Sequence, residues 1–224
     1  PFRPAAQRLL LRRWRTVKRM SFLKKCLMIV FHPADCMVIV KRERESLPLW
    51  QPALLYLLAI AVNYAYIFMV HFLFAEKKTT DANLGLECAM VIVPLLTWTV
   101  AAYAMTAILS GESKFKEQFT AYAYALVPYI VLTPVLGLLS NLCGSSQAGL
   151  YQFLRVVVLL WVLALLFFAL MQLNDYSFMK TVGVALLSLL MMAVIWAVIL
   201  LVASMTVQFA TFFTDVFKEF SYKL

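Results

Sequence analysis

The chain has 224 residues, of which 64% are hydrophobic and only 14% charged, and its mean hydropathy is +0.86. Soluble domains are close to half apolar and a quarter charged, so this composition excludes an ordinary globular domain. The net charge of +9 would suit a nucleic-acid partner, but twelve of the twenty Lys and Arg residues precede residue 45, beside an apolar run. Basic residues in that position are typical of contact with anionic lipid headgroups, and we expect no nucleic-acid partner.

Residues 1–46 form a basic segment ahead of the first long apolar run. Within it, residues 7–31 place an apolar side chain at every third or fourth position, and cations fill most of the remaining circumference. This period predicts an amphipathic helix that lies in the headgroup plane and ends before Pro33. The cations expected to contact anionic headgroups are Arg12, Arg15, Arg19, Lys24 and Lys25.

Five apolar runs of spanning length follow, joined by short polar connectors. At about 1.5 Å per residue, even the shortest run reaches roughly 28 Å, close to the thickness of a hydrocarbon core. We therefore predict an all-α membrane protein: a bundle of five transmembrane helices over residues 47–207, with an N-terminal cytosolic amphipathic helix. The predicted spans are 52–74, 84–109, 121–139, 154–173 and 182–207.

The distribution of basic residues predicts the orientation of the bundle. With the N-terminus in the cytosol, 15 Lys and Arg residues lie on the inner side and 4 on the outer side, while Arg155 lies at an outer boundary. The positive-inside rule then favours a cytosolic N-terminus and an external C-terminus. We expect a multi-pass membrane protein in this orientation.

Residues 208–224 form an aromatic tail after the last predicted span. Its phenylalanines repeat at helical spacing, which allows two interpretations: an aromatic belt at the membrane interface, which we favour, or a docking helix for a partner. The candidates for partner contact are Phe209, Phe213, Phe217 and Phe220.

Polar residues inside the spans give little sign of chemistry. The middle of every predicted span lacks Asp, Glu, Lys and Arg, and Asn63 is the most central polar group. His71 and Glu87 lie about a turn inside the outer ends of adjacent helices; they could pair, but we expect both to reach the outer headgroup layer. No HExxH, GxSxG, Walker A or GxGxxG motif is present, and the four cysteines lack CxxC spacing. We expect no enzyme, no metal and no cofactor.

The third span contains Pro128 and Pro134, which permit a kink. Broken helices occur in transporters, so an independent small-solute permease is an alternative function. Kinked packing is the more ordinary explanation, because no inverted repeat is visible in five spans.

Two stretches, residues 31–46 before the first span and residues 110–134 between spans two and three, resemble segments of bacterial Yip1-domain proteins. The resemblance covers roughly residues 22–224 and implies a protein of the bacterial cell membrane. FHPADCMVIVKRERES, residues 31–46 with His32 and Pro33, is similar to their membrane-entry segment. SGESKFKEQFTAYAYALVPYIVLTP, residues 110–134, is similar to their loop between spans two and three. The residues that carry this second similarity are Gly111, Phe115, Tyr124, Pro128 and Pro134. The acidic N-terminal DLYGP-type signature of eukaryotic Yip1 proteins is absent, which favours the bacterial branch.

The resemblance implies a five-helix membrane protein with no established chemistry. Similar bacterial members tend to accompany carbohydrate ABC-transporter components, which implies an accessory subunit that binds or organises another membrane complex, with ABC permease subunits as partners. The chain itself lacks the permease coupling loop, because Ala121, Ala123 and Tyr124 stand where that motif has Ile, Leu and Pro. A membrane-shaping protein acting through the basic N-terminal helix is a further alternative.

Overall fold

The computed structural model describes residues 22–42, 48–74 and 83–222, and within these ranges the chain forms helices and no strand. The predictions for Arg12, Arg15 and Arg19 lie outside the described residues. The helices are α1 (Phe22–Phe31), α2 (Pro33–Arg42), α3 (Trp50–Met69), α4 (Leu84–Ile108), α5 (Phe115–Ala125), α6 (Val127–Ser140), α7 (Ala148–Leu173) and α8 (Phe178–Tyr222), with one 3-10 turn at Ser145–Gln147.

Five helical stretches in the described ranges are long and apolar enough to cross a membrane, which confirms the predicted five-helix bundle. The third stretch consists of α5 and α6 together. The connectors between α4 and α5, between α6 and α7 and between α7 and α8 are short, so these neighbours are antiparallel. The five stretches are Trp50–Met69, Leu84–Ile108, Phe115–Ser140, Ala148–Leu173 and Phe178–Asp215.

The two ends of the bundle are held together differently. At one end, here called the near end, Lys41 of α2 forms ion pairs with Glu112 and Asp175, which lie in the α4–α5 and α7–α8 connectors. At the far end, the His71 backbone amide donates to Ser140 Oγ at 2.8 Å, joining the end of α3 to the end of α6. Ion pairs between α2 and two connectors therefore mark the near end, and a backbone-to-hydroxyl bond marks the far end.

The first span is shorter than predicted. The sequence predicted a span to residue 74, but α3 ends at Met69 because Val70 adopts an extended backbone with ψ 136°. The amide of His71 then bonds to a neighbouring helix rather than to its own. The apolar run of the sequence therefore extends beyond Met69, whereas the helix ends there because the His71 amide bonds to α6.

The last span and the aromatic tail are one helix. The predicted boundary at residue 207 falls inside α8, which runs for 45 residues from Phe178 to Tyr222. No Gly or Pro occurs after Gly183 in this helix, so the sequence supplies no residue that would end it.

Prolines divide two of the predicted helices. α1 ends at Phe31 and Pro33 begins α2, which confirms the predicted end of the N-terminal helix. The third span divides at Leu126, where α5 ends and α6 begins, and Pro128 is the second residue of α6. Because proline lacks an amide hydrogen, it is tolerated in the first turn of a helix, whereas further along it removes a backbone hydrogen bond and kinks or breaks the helix.

Candidate functional site

The bundle contains a cavity of about 820 Å³ that extends from the far end to its middle. Residues of α3, α4, α7 and α8 form most of its wall. Membrane bundles commonly bind ligands between helices in this way, in pockets that are mostly apolar with a few polar groups. Apolar residues of the wall include Leu95, Trp98, Leu163, Leu166, Leu189 and Met192.

Glu87 lies at the polar part of this cavity and is only 4% exposed. Its Oε2 accepts a hydrogen bond from Asn63 Nδ2 at 2.9 Å, and Asn63 Oδ1 accepts from Tyr129 Oη at 2.9 Å. The expectation that Glu87 reaches the headgroup layer is therefore wrong. Burial is possible because the carboxyl group receives a donor from α3, which replaces part of its lost hydration.

Arg155 brings a cation to the same part of the cavity. Its guanidinium carbon lies 5.8 Å from the centre of the Tyr66 ring, within range of a cation–π interaction. The Tyr66 hydroxyl is in turn hydrogen-bonded to the Tyr151 hydroxyl. From the sequence, Arg155 was placed only at the outer boundary of a span, and its position in the cavity wall was not predicted. A single Arg at the start of an apolar run is the pattern that could have indicated a functional position there.

His71 and Glu87, which the sequence left as a possible polar pair, make different hydrogen bonds. His71 is partly buried, and its Nδ1 accepts from the Leu73 amide at 3.4 Å. Glu87 bonds across to Asn63 instead. His71 thus contributes to the turn after α3, and Glu87 to the cavity.

A second polar cluster lies at the near end, around the α4–α5 connector. Asn174 Oδ1 accepts from Ser113 Oγ at 2.7 Å and from the Ser113 amide at 3.3 Å. Gln118 Nε2 donates to Ser113 Oγ at 2.7 Å and to Thr106 Oγ1 at 2.9 Å. Ser113, Gln118, Thr106 and Asn174 are all buried, so this cluster joins the connector to the bundle interior.

Gly111 fits this cluster because it has no side chain. A Cβ at this position would lie 2.8 Å from Thr106 Cβ and 2.8 Å from Tyr176 Oη, closer than real Cβ atoms come to such neighbours. Tyr176 Oη itself donates to the Leu109 carbonyl at 3.1 Å, and burial raises the pKa of this phenol. Gly111 therefore allows the close packing of the two connectors.

The remaining residues that carried the resemblance lie in the third span or at its start. Tyr124 is fully buried and donates to Gln51 Oε1 at 2.8 Å, while Phe115 is partly exposed and stacks on Phe119. Pro128 begins α6, and Pro134 lies inside it. In this fold these residues shape and pack the third span, and the structure brings none of them into the polar part of the cavity.

The N-terminal helices pack on the bundle. The ring of Phe22 lies 5.6 Å from Trp50 and 6.3 Å from Tyr124, and Ile29 and Met37 are fully buried. The described part of the predicted amphipathic helix thus covers protein with its apolar side.

The two described cations of α1 differ in exposure. Lys24 and His32 are exposed, whereas Lys25 is buried. Headgroup contact stays a prediction for Lys24, and the burial of Lys25 argues against a lipid-facing position for its side chain. Burial also raises the pKa of the neighbouring Cys26 thiol.

The aromatic tail is exposed in the described part of α8. Every residue from 197 to 215 is exposed, and the rings of Phe209 and Phe213 lie 5.1 Å apart. The side chains of Phe217 and Phe220 lie outside those that the structure describes. Within the described residues no group of three or more His, Cys, Asp or Glu residues is placed to hold a metal ion.

Comparison with known proteins gives one match. The family model described as the Yip1 domain matches residues 27–210, which include α2 to α7 and most of α8. No curated protein and no solved structure matches the chain.

Proposed function

Because the chain belongs to the Yip1 domain family, we propose that it is a non-enzymatic membrane subunit that binds and organises another membrane complex. The observation that supports this function is the exposed aromatic part of α8, which continues the fifth span without a break. The bundle itself is multi-pass, with five helices of spanning length in the described ranges.

The length of α8 argues for docking over a simple aromatic belt. From Phe178 to Phe209 a helix rises about 46 Å, which already equals the thickness of a bilayer with its headgroups. Phe209 and Phe213 are 67% and 47% exposed, and Phe212 lies beside them. Interfacial belts are enriched in Trp and Tyr, whose polar tips reach water, whereas Phe has no such group. A contiguous Phe surface at this level is therefore better explained by a protein partner that covers it.

The proposed partner is a permease subunit of a carbohydrate ABC importer in a bacterial cell membrane. This choice is supported by the resemblance of residues 110–134 to bacterial members that accompany such transporters. The proposed orientation, with a cytosolic N-terminus and an external C-terminus, follows from the 15 to 4 distribution of basic residues. It places the near-end connectors on the cytosolic side and the Phe surface of α8 on the external side.

Replacement of Phe209 and Phe213 by Ala tests the proposal. Truncating a buried aromatic anchor costs about 2 kcal/mol, so each substitution should weaken the complex about thirtyfold. The measurement is quantitative mass spectrometry of ABC permease subunits that co-purify with the tagged chain from gently solubilised native membranes. Phe153→Ala is a matched control, because Phe153 is 63% exposed on α7. Equal recovery from the α8 double variant and from Phe153→Ala would contradict docking through α8.

The cavity favours one alternative, a permease for small solutes. A volume of about 820 Å³ with buried polar groups at one end is large enough for such a ligand. The measurement that separates the two functions is solute flux into liposomes that contain only this chain. Uptake by the isolated chain above protein-free liposomes would replace the subunit function with the permease function.

A further inference from the structure

The cavity combines a polar end with a long apolar remainder. Asn63, Glu87, Tyr129 and Arg155 all line it, and the first three are linked by hydrogen bonds of 2.9 Å. Towards the middle of the bundle the wall consists of aliphatic and aromatic side chains. A ligand that matches both parts must be amphiphilic, with one polar and one apolar end.

The apolar part opens sideways. Leu159, Leu163 and Leu189 all line the cavity, yet they are 48%, 59% and 53% exposed. Leu159 and Leu163 lie on α7 and Leu189 lies on α8, so the opening lies on the side of the bundle where these two helices meet. Both helices are of spanning length, and their flanks face lipid hydrocarbon in a membrane. An apolar chain can therefore enter from the bilayer without passing through water.

We propose that this cavity binds a single-chain amphiphile whose headgroup has no net charge. Its head lies beside Asn63, Glu87 and Arg155, and its alkyl chain lies in the apolar part of the cavity, toward the opening between α7 and α8.

The charge of the headgroup follows from the two ionisable residues that line the polar end. Glu87 and Arg155 have opposite formal charges, so together they favour neither an anion nor a cation. A zwitterionic head places one charge toward each residue, whereas a fatty acid or a fatty amine meets a like charge on one side. Uncharged polar heads also match this arrangement.

The size of the cavity limits the ligand to one chain. Pockets of roughly 300–1,000 Å³ hold ligands of drug size, and this one measures about 820 Å³. A single alkyl chain with a small headgroup matches that range, because the second chain of a phospholipid would have to lie outside the cavity wall. This inference does not depend on the protein partner of α8.

The experiment uses the full chain in nanodiscs of phosphatidylcholine. The probe is a lysophosphatidylethanolamine with a photoactivatable diazirine in its chain, and labelled peptides are located by mass spectrometry. We expect labelling to concentrate on the cavity faces of α7 and α8. Excess unlabelled lysophosphatidylethanolamine should remove this labelling, whereas oleate or hexadecylamine should compete at least about tenfold less well.

Two adjacent residues of α8 provide matched variants. Leu189 lines the cavity, whereas its neighbour Leu190 does not, and both are more than half exposed, so a larger side chain at either position leaves the core intact. An indole side chain in the cavity occupies the space of the ligand, so Leu189→Trp should reduce labelling about tenfold. Leu190→Trp should leave the labelling nearly unchanged. Arg155→Gln should make hexadecylamine a stronger competitor than oleate, because the carboxyl of Glu87 then determines the charge preference of the cavity.

Two results would overturn the proposal. Equal labelling of the two Trp variants would show that the probe contacts the lipid-facing surface without entering the cavity. Competition by oleate as strong as by lysophosphatidylethanolamine would contradict the assignment of a headgroup without net charge.

Discussion

At the scale of single residues, Gly111 shows what the connector between α4 and α5 requires. The connector is held by two hydrogen bonds from Ser113 to the side chain of Asn174, which lies 61 positions later in the chain. Any side chain at 111 would enter the space that Thr106 and Tyr176 occupy. One of the residues that carried the resemblance is therefore one whose backbone must approach its neighbours closely.

Gly111→Ala should lower the stability of the bundle by about 1–3 kcal/mol, the usual cost of overpacking a buried site. The measurement is thermal unfolding in detergent, followed by helical circular dichroism. Gly183→Ala is the matched control, because a Cβ at Gly183 meets nothing within 4 Å and alanine is the better helix former. A Gly111→Ala protein as stable as the Gly183→Ala protein would contradict the packing argument.

Single residues also show where prediction from sequence fails. Glu87 was expected at the headgroup layer because a carboxylate near a helix end usually reaches water. That expectation weighed only His71 as a partner from the neighbouring span, whereas the donor to Glu87 is Asn63 of α3. Sequence identified both residues as polar exceptions, but no local pattern reports that two distant positions meet.

At the scale of helices, α2 is attached to the near end through Lys41. Its ammonium group contacts Glu112 at 3.4 Å and also pairs with Asp175. The two carboxylates are largely exposed, so water weakens these ion pairs. The apolar side of α2, with Met37 and Val40 fully buried, provides the larger part of the attachment.

Lys41→Met should loosen α2 modestly. Loss of partly exposed ion pairs costs about 0.5–1 kcal/mol, so amide hydrogen exchange in α2 should become about two- to fivefold faster. Lys24→Met removes a cation from an exposed position on α1 and should leave the exchange of α2 unchanged. Lys41→Arg should retain the protection, and slow exchange in Lys41→Met would show that the ion pairs contribute nothing to α2.

The helices were predictable to the extent that hydropathy determines them. All five spans were found, because few charges interrupt apolar runs of this length. The end of α3 at Met69 was not, since it depends on a hydrogen bond to Ser140 in another helix. The continuation of α8 past residue 207 was missed although its sequence contains no helix breaker there.

At the scale of the whole molecule, orientation in the membrane is the next property to measure. The test uses variants that each contain a single cysteine, either the native Cys143 or Lys114→Cys. An impermeant maleimide added outside intact cells should label the variant that contains Cys143 and should leave Lys114→Cys unlabelled. Cys143 lies in the connector at the far end, and Lys114 is exposed in the connector at the near end. The expected direction follows from the excess of basic residues at the near end. External labelling of Lys114→Cys would reverse the proposed orientation.

The cavity belongs to this scale too, and it was not predicted from the sequence. Its wall uses residues from 63 to 192, contributed by helices that are each mostly apolar in sequence. A cavity arises where side chains of several helices fail to fill the space between them, which depends on packing and not on any one helix.

The continuous backbone of α8 has a mechanical consequence. Its 45 residues extend about 67 Å, and even at a tilt of about 40° the vertical reach is about 52 Å, more than a bilayer with its headgroups. Part of the helix therefore projects as a stiff rod. Its middle is held where Trp196 Nε1 donates to Thr97 Oγ1 at 3.3 Å. Leu189, which lines the cavity, lies on the same unbroken helix, so the projecting tip and one wall of the cavity share a continuous backbone.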